Sequence, residues 1–213
     1  MITIIDYDAG NIRSVENMLG ALGVKCRISS DPAEIRRAEK LILPGVGHFD
    51  HGMTVLHERG LVDALNRRVV EDRAPILGIC LGAQLLTRGS EEGNRPGLGW
   101  IAGETRAFDR ARMDRPLSVP HMGWSDCWIA NPNPLTQQSP ADMRFYFVHS
   151  FHLVVDEPAD AIVGAHYGYD FVAAIGRGNV MGVQFHPEKS HRFGMDILRC
   201  FARWQPDGTA AAA

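Results

Sequence analysis

Cys80 stands in a glycine-framed segment, Gly78-Ile79-Cys80-Leu81-Gly82, between an apolar run and a helical pattern. The segment is the cysteine counterpart of a nucleophile elbow, in which a strained turn carries the reactive side chain and flanking glycines allow close packing. The start of a helix also stabilises the thiolate, which is the nucleophilic form of cysteine. A cysteine at a strand end is more often a small buried hydrophobe. With the glycines on both sides, we consider a nucleophilic role for Cys80 as well supported as a structural one.

A nucleophilic thiolate needs a base and a group that orients the base. His186 and Glu188 follow a second apolar run, with the backbone restricted by Pro187 between them. Glu188 is placed to orient His186, and His186 to exchange protons with Cys80 and a leaving group. A lone histidine at a strand end is usually structural, so the prediction depends on the pairing with the elbow. The other cysteines, Cys26, Cys127 and Cys200, have no such frame and are expected to pack as hydrophobes.

A second glycine-rich turn, Pro44-Gly45-Val46-Gly47, follows the third apolar run. Its glycines permit backbone conformations that other residues avoid, so the amide near Val46 can face a developing oxyanion beside the amide of Leu81. A simple turn between a strand and a helix explains the same residues equally well.

Two other kinds of site are not expected. None of the three lysines follows a glycine, so the chain lacks the phosphate-binding sequence of P-loop proteins. The nine histidines show no metal-ligand spacing, and alternation along a single strand would put His149 and His152 on opposite faces. We therefore predict no metal site.

The composition is that of an ordinary globular domain. The chain has 213 residues, of which 45% are hydrophobic and 22% charged, and its formal net charge is −3. A chain of this length buries enough surface to fold without disulfides or metals. We expect one domain over residues 1–205 and a disordered tail, 206–213, that ends in four alanines.

Charge and hydropathy exclude several classes of function. Acidic residues outnumber basic ones by 25 to 22, so there is no net positive field to hold a nucleic-acid backbone. No apolar stretch approaches the roughly 20 residues of a membrane span, and the amino terminus has no export signal. The four cysteines lie far apart, which favours reduced thiols and a cytoplasmic protein.

The element pattern changes between the two halves of the chain. In the first half, short apolar runs alternate with helical patterns, and Asp31-Pro32 is a favourable helix start. The expected elements there are strands at 2–6, 24–28, 40–43 and 75–79 and helices over 15–22, from 31 and over 60–71. The second half is expected to hold strands at 104–108, 119–129, 145–155, 162–166, 171–175 and 180–185, and then a helix over 193–204. The fold class is therefore α/β, with a mostly parallel sheet flanked by helices and extended by antiparallel strands.

Two segments resemble the class I (triad) glutamine amidotransferases, namely Gly78-Ile-Cys80-Leu-Gly-Ala-Gln84-Leu-Leu and Gln184-Phe-His186-Pro-Glu188-Lys-Ser. The resemblance implies that glutamine is hydrolysed through a cysteinyl thioester and that no cofactor is needed. Cys80 would then be the nucleophile, His186 the acid and base, and Glu188 its orienting partner.

The resemblance also implies how the substrate and a partner protein are bound. Gln84 and the segment His149-Ser150-Phe151 would bind glutamine, while Val46 and Leu81 would supply the oxyanion amides. The ammonia would pass to a separate synthase subunit. The residues that would lie toward that partner, near the ammonia exit, are Asn11, His121, Met122, Trp124 and Lys189.

Within the family, the turn at Pro44–Gly47 and the segments 120–124 and 146–151 are similar to the glutaminase subunits of imidazole glycerol phosphate synthase. These act in histidine biosynthesis, as heterodimers with a (β/α)₈ cyclase. Ala83 and Ser125 depart from that branch, where Met and Asn are expected, and the segments 166–174 and 189–195 resemble subunits that serve sugar-modifying synthases. A free-standing cysteine γ-glutamyl hydrolase and an inactive scaffold are alternatives of other classes.

Overall fold

The computed structural model describes residues 1–206, and those residues form a mixed sheet with helices on both faces. The strands are β1 (Ile2–Ile5), β2 (Cys26–Ser29), β3 (Lys40–Gly45), β4 (Ile76–Cys80), β5 (Gly103–Ala107), β6 (His121–Ile129), β7 (Arg144–His149), β8 (Phe151–Val155), β9 (Ala161–His166), β10 (Asp170–Arg177) and β11 (Val180–Val183). The helices are α1 (Ile12–Ala21), α2 (Pro32–Ile35), α3 (Phe49–Glu58), α4 (Leu61–Leu65), α5 (Leu81–Leu85) and α6 (His191–Arg203). Apart from Pro206, the tail predicted for residues 206–213 lies outside the described residues.

The parallel part of the sheet has the strand order β2-β1-β3-β4-β11. Every residue of β3 and β4 is buried, because helices cover both faces of these strands. On one face Ile42 and Leu77 pack in one core with residues of α1 and α6. On the other face Leu41 and Ile76 pack with residues of α3 and α4. The expected fold class is confirmed, and the ends of β3, β4 and β11 meet at one edge of the sheet.

Two helices of the first half differ in how closely they follow the sequence pattern. The start predicted at Asp31 is confirmed, since its Oδ1 accepts a hydrogen bond of 2.8 Å from the amide of Ala33. The single helix expected over 60–71 is wrong in its second part, where the α-helix ends at Leu65 and Asn66–Glu71 forms a π-helix. The wider π-helical turn still buries Val69, so apolar spacing alone does not distinguish the two helix types.

The antiparallel strands continue the sheet beyond β11, in the order β10, β9, β6 and β7, while β8 pairs with β5 and β10. The one strand expected over 145–155 is in fact two, because the chain leaves the pairing with β6 at Ser150 and enters a new one with β5. The break also resets the alternation of side chains. His149 and His152 both pack against Phe108, with ring centroids 5.1 and 5.0 Å away, so their predicted placement on opposite faces is wrong.

Lys40 is a buried cation at the start of β3, and its side chain connects this strand to the last helix, α6. Its Nζ donates hydrogen bonds to the carbonyl oxygens of Phe201, at 2.9 Å, and of Ala202, at 2.7 Å, and to that of Trp204. Burial lowers the pKa of Lys40 to about 8. The ammonium therefore closes the carbonyl end of α6 and ties that helix to the parallel sheet.

The cysteines within residues 1–206 form no disulfide. Cys26, Cys80, Cys127 and Cys200 are free thiols. Between residues 1 and 206, no helix has the length and apolar content that a bilayer crossing requires.

Candidate active site

Cys80 lies at the carboxyl end of β4, in a backbone conformation that residues other than glycine rarely adopt (φ 53°, ψ −112°). The flanking glycines are needed for close packing. A Cβ at Gly78 would stand 2.6 Å from the carbonyl oxygen of Gly82, and a Cβ at Gly82 would overlap the carbonyl oxygen of Leu43 in the neighbouring strand. The elbow is thus held by backbone packing between β3, β4 and α5, the helix that starts at the next residue.

A cleft of about 360 Å³ opens beside Cys80. Its walls come from the ends of β3 and β4 on one side and from the turn between β7 and β8 on the other. It is lined by Val46, Gly47, Cys80, Leu81, Gln84, Glu92, Pro120, Val148, His149, Ser150 and Phe151. The nucleophile, the oxyanion residues and the substrate-binding residues predicted from the sequence therefore all face one cavity. The helix α5 is only five residues long, so its macrodipole is small. An anion beside Cys80 would be stabilised by the free backbone amides of the first helical turn.

His186 and Glu188 form a buried pair in the turn after β11. His186 Nδ1 donates to Glu188 Oε1 over 2.7 Å, and both side chains are only 2% exposed. Among the described residues, His186 Nε2 has no hydrogen-bond partner, which leaves it free for proton exchange. Burial alone would lower the pKa of His186, but the adjacent Cys80 and Glu188 outweigh it and raise the pKa to about 9. His186 therefore carries a proton at neutral pH.

Ser190 fastens this turn to the rest of the sheet, and no sequence argument had singled it out as functional. Its Oγ donates to the carbonyl of His186 at 2.6 Å and accepts from the amide of Tyr146 at 3.0 Å. The amide of His186 in turn donates to the carbonyl of Tyr146 at 2.9 Å. Ser190 is fully buried, so these bonds are shielded from water. The predicted base, His186, is thus held by hydrogen bonds between its own turn and β7.

His149 is held on the cleft wall by a chain of hydrogen bonds whose directions can be assigned. Its Nδ1 lies 2.7 Å from the carbonyl oxygen of Phe151, which can only accept, so Nδ1 carries the hydrogen. Burial lowers the pKa of His149 to about 3 and that of His121 to about 4, so both rings are neutral near pH 7. His149 Nε2 therefore accepts from His121 Nδ1 at 2.9 Å, and His121 Nε2 accepts from Ser125 Oγ at 2.9 Å.

Two more polar residues at the cleft were missed at the level of sequence. Glu92 lines the cleft, and its Oε2 accepts a hydrogen bond of 2.8 Å from the amide of Phe49 at the start of α3. Gln184 is fully buried, and its side chain bridges Gln84 and Cys80. Gln184 stands two residues before His186, so its place next to the base was a signal. No sequence signal pointed to Glu92, because it lies in an irregular loop outside any motif.

The residues predicted to face a partner divide into two groups. Asn11, Met122, Trp124 and Lys189 are exposed, with Met122 at 62% and Trp124 at 41%. His121 is 2% exposed, so its side chain is not accessible to a partner and supports His149 instead. Among residues 1–206, no group of three or more His, Cys, Asp or Glu side chains is arranged to hold a metal ion.

Comparison with known proteins assigns the family. The profile of the class-I glutamine amidotransferases matches residues 3–203. The chain belongs to that family. This glutamine amidotransferase is therefore an enzyme of the kind that the motifs at Cys80 and His186 predicted. Solved structures agree on the fold: a crystal structure titled as a glutamine amidotransferase has a TM-score of 0.70 at 18% identity, covering 94% of this chain and 97% of that chain.

Curated relatives of this amidotransferase match along almost their whole length. The imidazole glycerol phosphate synthase subunit HisH 2 of Pseudomonas aeruginosa is 49% identical over 201 residues, which are 94% of this chain and 98% of the relative. The subunit of the same name in Methanococcus maripaludis is 45% identical over 203 residues, 95% of this chain and 99% of the relative.

Proposed function

We propose that this amidotransferase is the glutaminase subunit of an imidazole glycerol phosphate synthase. It hydrolyses glutamine to glutamate and ammonia, and the ammonia passes to a cyclase subunit that makes imidazole glycerol phosphate and AICAR in histidine biosynthesis. The observation that carries this assignment is the shared subunit name of relatives that are 49% and 45% identical over nearly the full length.

The first half of the reaction forms a thioester. The Cys80 thiolate attacks the side-chain carbonyl carbon of glutamine, and the negative charge moves to the carbonyl oxygen, where the amides of Val46 and Leu81 stabilise it. His186 gives its proton to the departing nitrogen, the C–N bond breaks, and ammonia leaves. The pKa of about 9 supports this role, because it keeps the required proton on His186 at neutral pH.

The second half releases glutamate. Neutral His186 accepts a proton from a water molecule, whose oxygen attacks the thioester carbonyl, and breakage of the C–S bond restores the Cys80 thiolate and protonated His186. Glu188 keeps Nδ1 protonated and balances the positive charge of the ring across their 2.7 Å hydrogen bond.

Glutamine binding is proposed for the cleft beside Cys80. Its volume of about 360 Å³ suits one amino acid, and Gln84, His149, Ser150 and Phe151 supply polar and backbone groups on two walls. Glu92 is the one carboxylate among the lining residues, which makes it the group best suited to receive the α-ammonium of the substrate.

The partner is proposed to be a (β/α)₈ cyclase bound as a heterodimer, in the cytoplasm. The exposure of Met122 and Trp124 supports this face as the docking surface. Next to it, His191 stacks on Trp124 with a centroid distance of 5.5 Å, and Lys189 Nζ lies 5.7 Å from the ring of Tyr146. Asn11 and Lys189 would complete the contacts.

A second candidate is the sugar-modifying branch of the family. The observations that favour it are Ala83 and Ser125, where the resemblance to the histidine branch leads us to expect Met and Asn, and the segments 166–174 and 189–195. Ala83 is fully buried beside the elbow, so it cannot contact a partner. Because partner choice depends on a few surface contacts, the exposed positions of the segments 166–174 and 189–195 are the ones that bear on the partner.

Complementation distinguishes the two candidates. The chain is expressed in a bacterium without its own histidine-pathway glutaminase, together with the cyclase of the native host, on medium free of histidine and low in ammonium. Growth is expected, and the Cys80→Ser variant serves as the inactive control. Failure to grow despite soluble protein and active cyclase, with binding to a sugar-modifying synthase, would overturn the histidine assignment.

A further inference from the structure

We propose that the side-chain amide of Gln184 is the hydrogen-bond donor that holds the sulfur of Cys80 as a thiolate, and that the same amide fixes the orientation of Gln84 in the cleft. The inference rests on the proposed role of Cys80 as the nucleophile. The inference adds Gln184 to the site, with the function of binding the Cys80 sulfur before glutamine is bound.

Strand pairing brings Gln184 next to Cys80. Strands β11 and β4 are parallel and in register, with Val183 opposite Ile79. The residue that follows each of these is Gln184, just after β11, and Cys80, the last residue of β4, and both lie at the carboxyl edge of the sheet. The side-chain Nε2 of Gln184 stands 3.7 Å from Cys80 Sγ, within hydrogen-bond range for sulfur.

The neighbouring acceptors determine which end of the Gln184 amide faces the sulfur. The Phe151 carbonyl oxygen only accepts, and it lies 3.4 Å from Gln84 Nε2, so the nitrogen of Gln84 must point there. The same nitrogen donates to Gln184 Oε1 at 3.1 Å. The oxygen of Gln184 is thereby occupied, and its nitrogen is left to face Sγ.

Two consequences follow from this arrangement. Gln184 is fully buried, and a buried amide is costly unless both its ends are hydrogen-bonded, which the contacts with Gln84 and Cys80 achieve. A donor that faces sulfur favours the thiolate, because a thiolate accepts a hydrogen bond far better than a thiol does. Both hydrogens of Gln84 Nε2 are also used, so Gln84 can offer a ligand only the acceptor Oε1.

The test measures how readily Cys80 ionises, without any need for glutamine turnover. The rate of Cys80 alkylation by iodoacetamide is followed against pH by mass spectrometry, in the wild type and in Gln184→Glu and Gln184→Met. We expect the midpoint of the profile to move up by about one pH unit or more in both variants, which is about tenfold in the ratio of thiolate to thiol at a given pH. The shift should be larger in Gln184→Glu, which adds an acidic group beside the sulfur.

Matched variants separate the two roles of the amide. Gln84→Met keeps the Gln184 donor but removes the group that holds its oxygen, so the alkylation midpoint should move less than in either Gln184 variant, while the KM for glutamine rises about tenfold. Gln184→Glu keeps an acceptor for Gln84, so its KM should rise less than that of Gln184→Met. Gln137→Glu, an exposed site with the same change of charge, should alter neither quantity.

Alkylation midpoints within about 0.3 pH unit of the wild type in both Gln184 variants would overturn the proposal. If those variants do not fold, the side-chain amide signals of Gln184 in the wild type replace them. These should shift as Cys80 is titrated and should not do so in Cys80→Ser; signals that ignore the titration also refute the proposal. Glutamine hydrolysis retained by Cys80→Ser would instead remove the proposed nucleophile, while the alkylation series would still be interpretable.

Discussion

The proposed nucleophile, Cys80, and the proposed base, His186, are held in place by different interactions. At the elbow, Gly78 and Gly82 let three backbone segments touch, and Cys80 lies between them in a strained conformation. Around the base, Ser190 and Glu188 hold His186 through hydrogen bonds from its side chain and its backbone. One half of the site is positioned by steric packing and the other by polar contacts.

This difference predicts which substitutions should cause a large loss of stability at once and which should cause a small, partial loss. A packed backbone has no room to adjust, so an added methyl group at the elbow disturbs the whole sheet edge. In a hydrogen-bonded turn, each substitution removes only one or two contacts. Each should therefore displace His186 slightly and lower the activity only in part. Side chains that react, in contrast to those that position, should be removable without harm to the fold.

The largest effect is expected for Cys80→Ser. The proposed nucleophile is the side chain, while the strain lies in the backbone, so the variant should fold normally but lose at least about 10⁴-fold in glutamine hydrolysis. Turnover with the synthase present and thermal unfolding measure the two quantities. Hydrolysis near the wild-type rate would show that another residue is the nucleophile.

The next effect is expected at the base, where His186→Ala should be more damaging than Glu188→Gln. Loss of the ring removes proton transfer and should cost about 10³-fold in kcat, whereas loss of the carboxylate leaves a less well oriented ring and should cost about 10- to 100-fold. Steady-state kinetics with the partner present test the order. Equal losses would mean that Glu188 is as indispensable as the ring itself.

Gly82→Ala tests the packing side of the comparison. The new methyl group would overlap the Leu43 carbonyl, so we expect a loss of about 3–4 kcal/mol in the free energy of unfolding. Gly20→Ala in helix α1 is the matched control, because a Cβ there meets nothing within 4 Å. Chemical denaturation of both variants measures the difference. Equal stability would show that the elbow is less tightly packed than the geometry implies.

The raised pKa of His186 makes stability depend on pH. The pKa is about 9 in the folded protein and about 6.5 in an unfolded chain, so this contribution is complete below pH 6.5 and is lost as the pH rises through 9. At about 1.4 kcal/mol for each pH unit between these two values, the loss is on the order of 3 kcal/mol. Urea unfolding at a series of pH values should show it, and His186→Ala should have a flatter profile over that range.

The smallest effect is expected for Ser190→Ala. It removes the bond to the His186 carbonyl and leaves the Tyr146 amide unpaired, which should cost about 1–2 kcal/mol in stability and lower kcat about tenfold. The KM for glutamine should stay unchanged, because Ser190 does not line the cleft. Ser190→Thr, which keeps a hydroxyl group, should recover part of the loss.

Local patterns made much of the fold predictable. The parallel strands could be placed because each is a short, continuous apolar run, and the turn at Cys80 because its glycines have a steric meaning on their own. The break at Ser150 was not predictable, since the run on both sides is equally strand-like. What ends β7 and begins β8 is the exchange of pairing partners, β6 for β5, which depends on segments distant in sequence.

The candidate site shows the same limit. Cys80, His186 and Glu188 belong to short motifs, so their residue types and spacing suggested a role. Gln184, Ser190 and Glu92 take their roles from contacts with residues 43 to 104 positions away. Those contacts exist only once the sheet has brought its edges together. His121 illustrates the converse, because a motif placed it near a partner while burial makes it a support for His149.

Lys40 has a consequence for how the chain is made. Its ammonium lies in the third strand, yet the three carbonyl oxygens that receive it belong to residues 201, 202 and 204. These acceptors are made 161 to 164 residues after Lys40, so a nascent chain that has assembled its first three strands has none of them to bind the ammonium. A chain shortened to end before residue 201 would lack all three acceptors, so we expect it to lose the link between β3 and α6 and to unfold at a lower denaturant concentration.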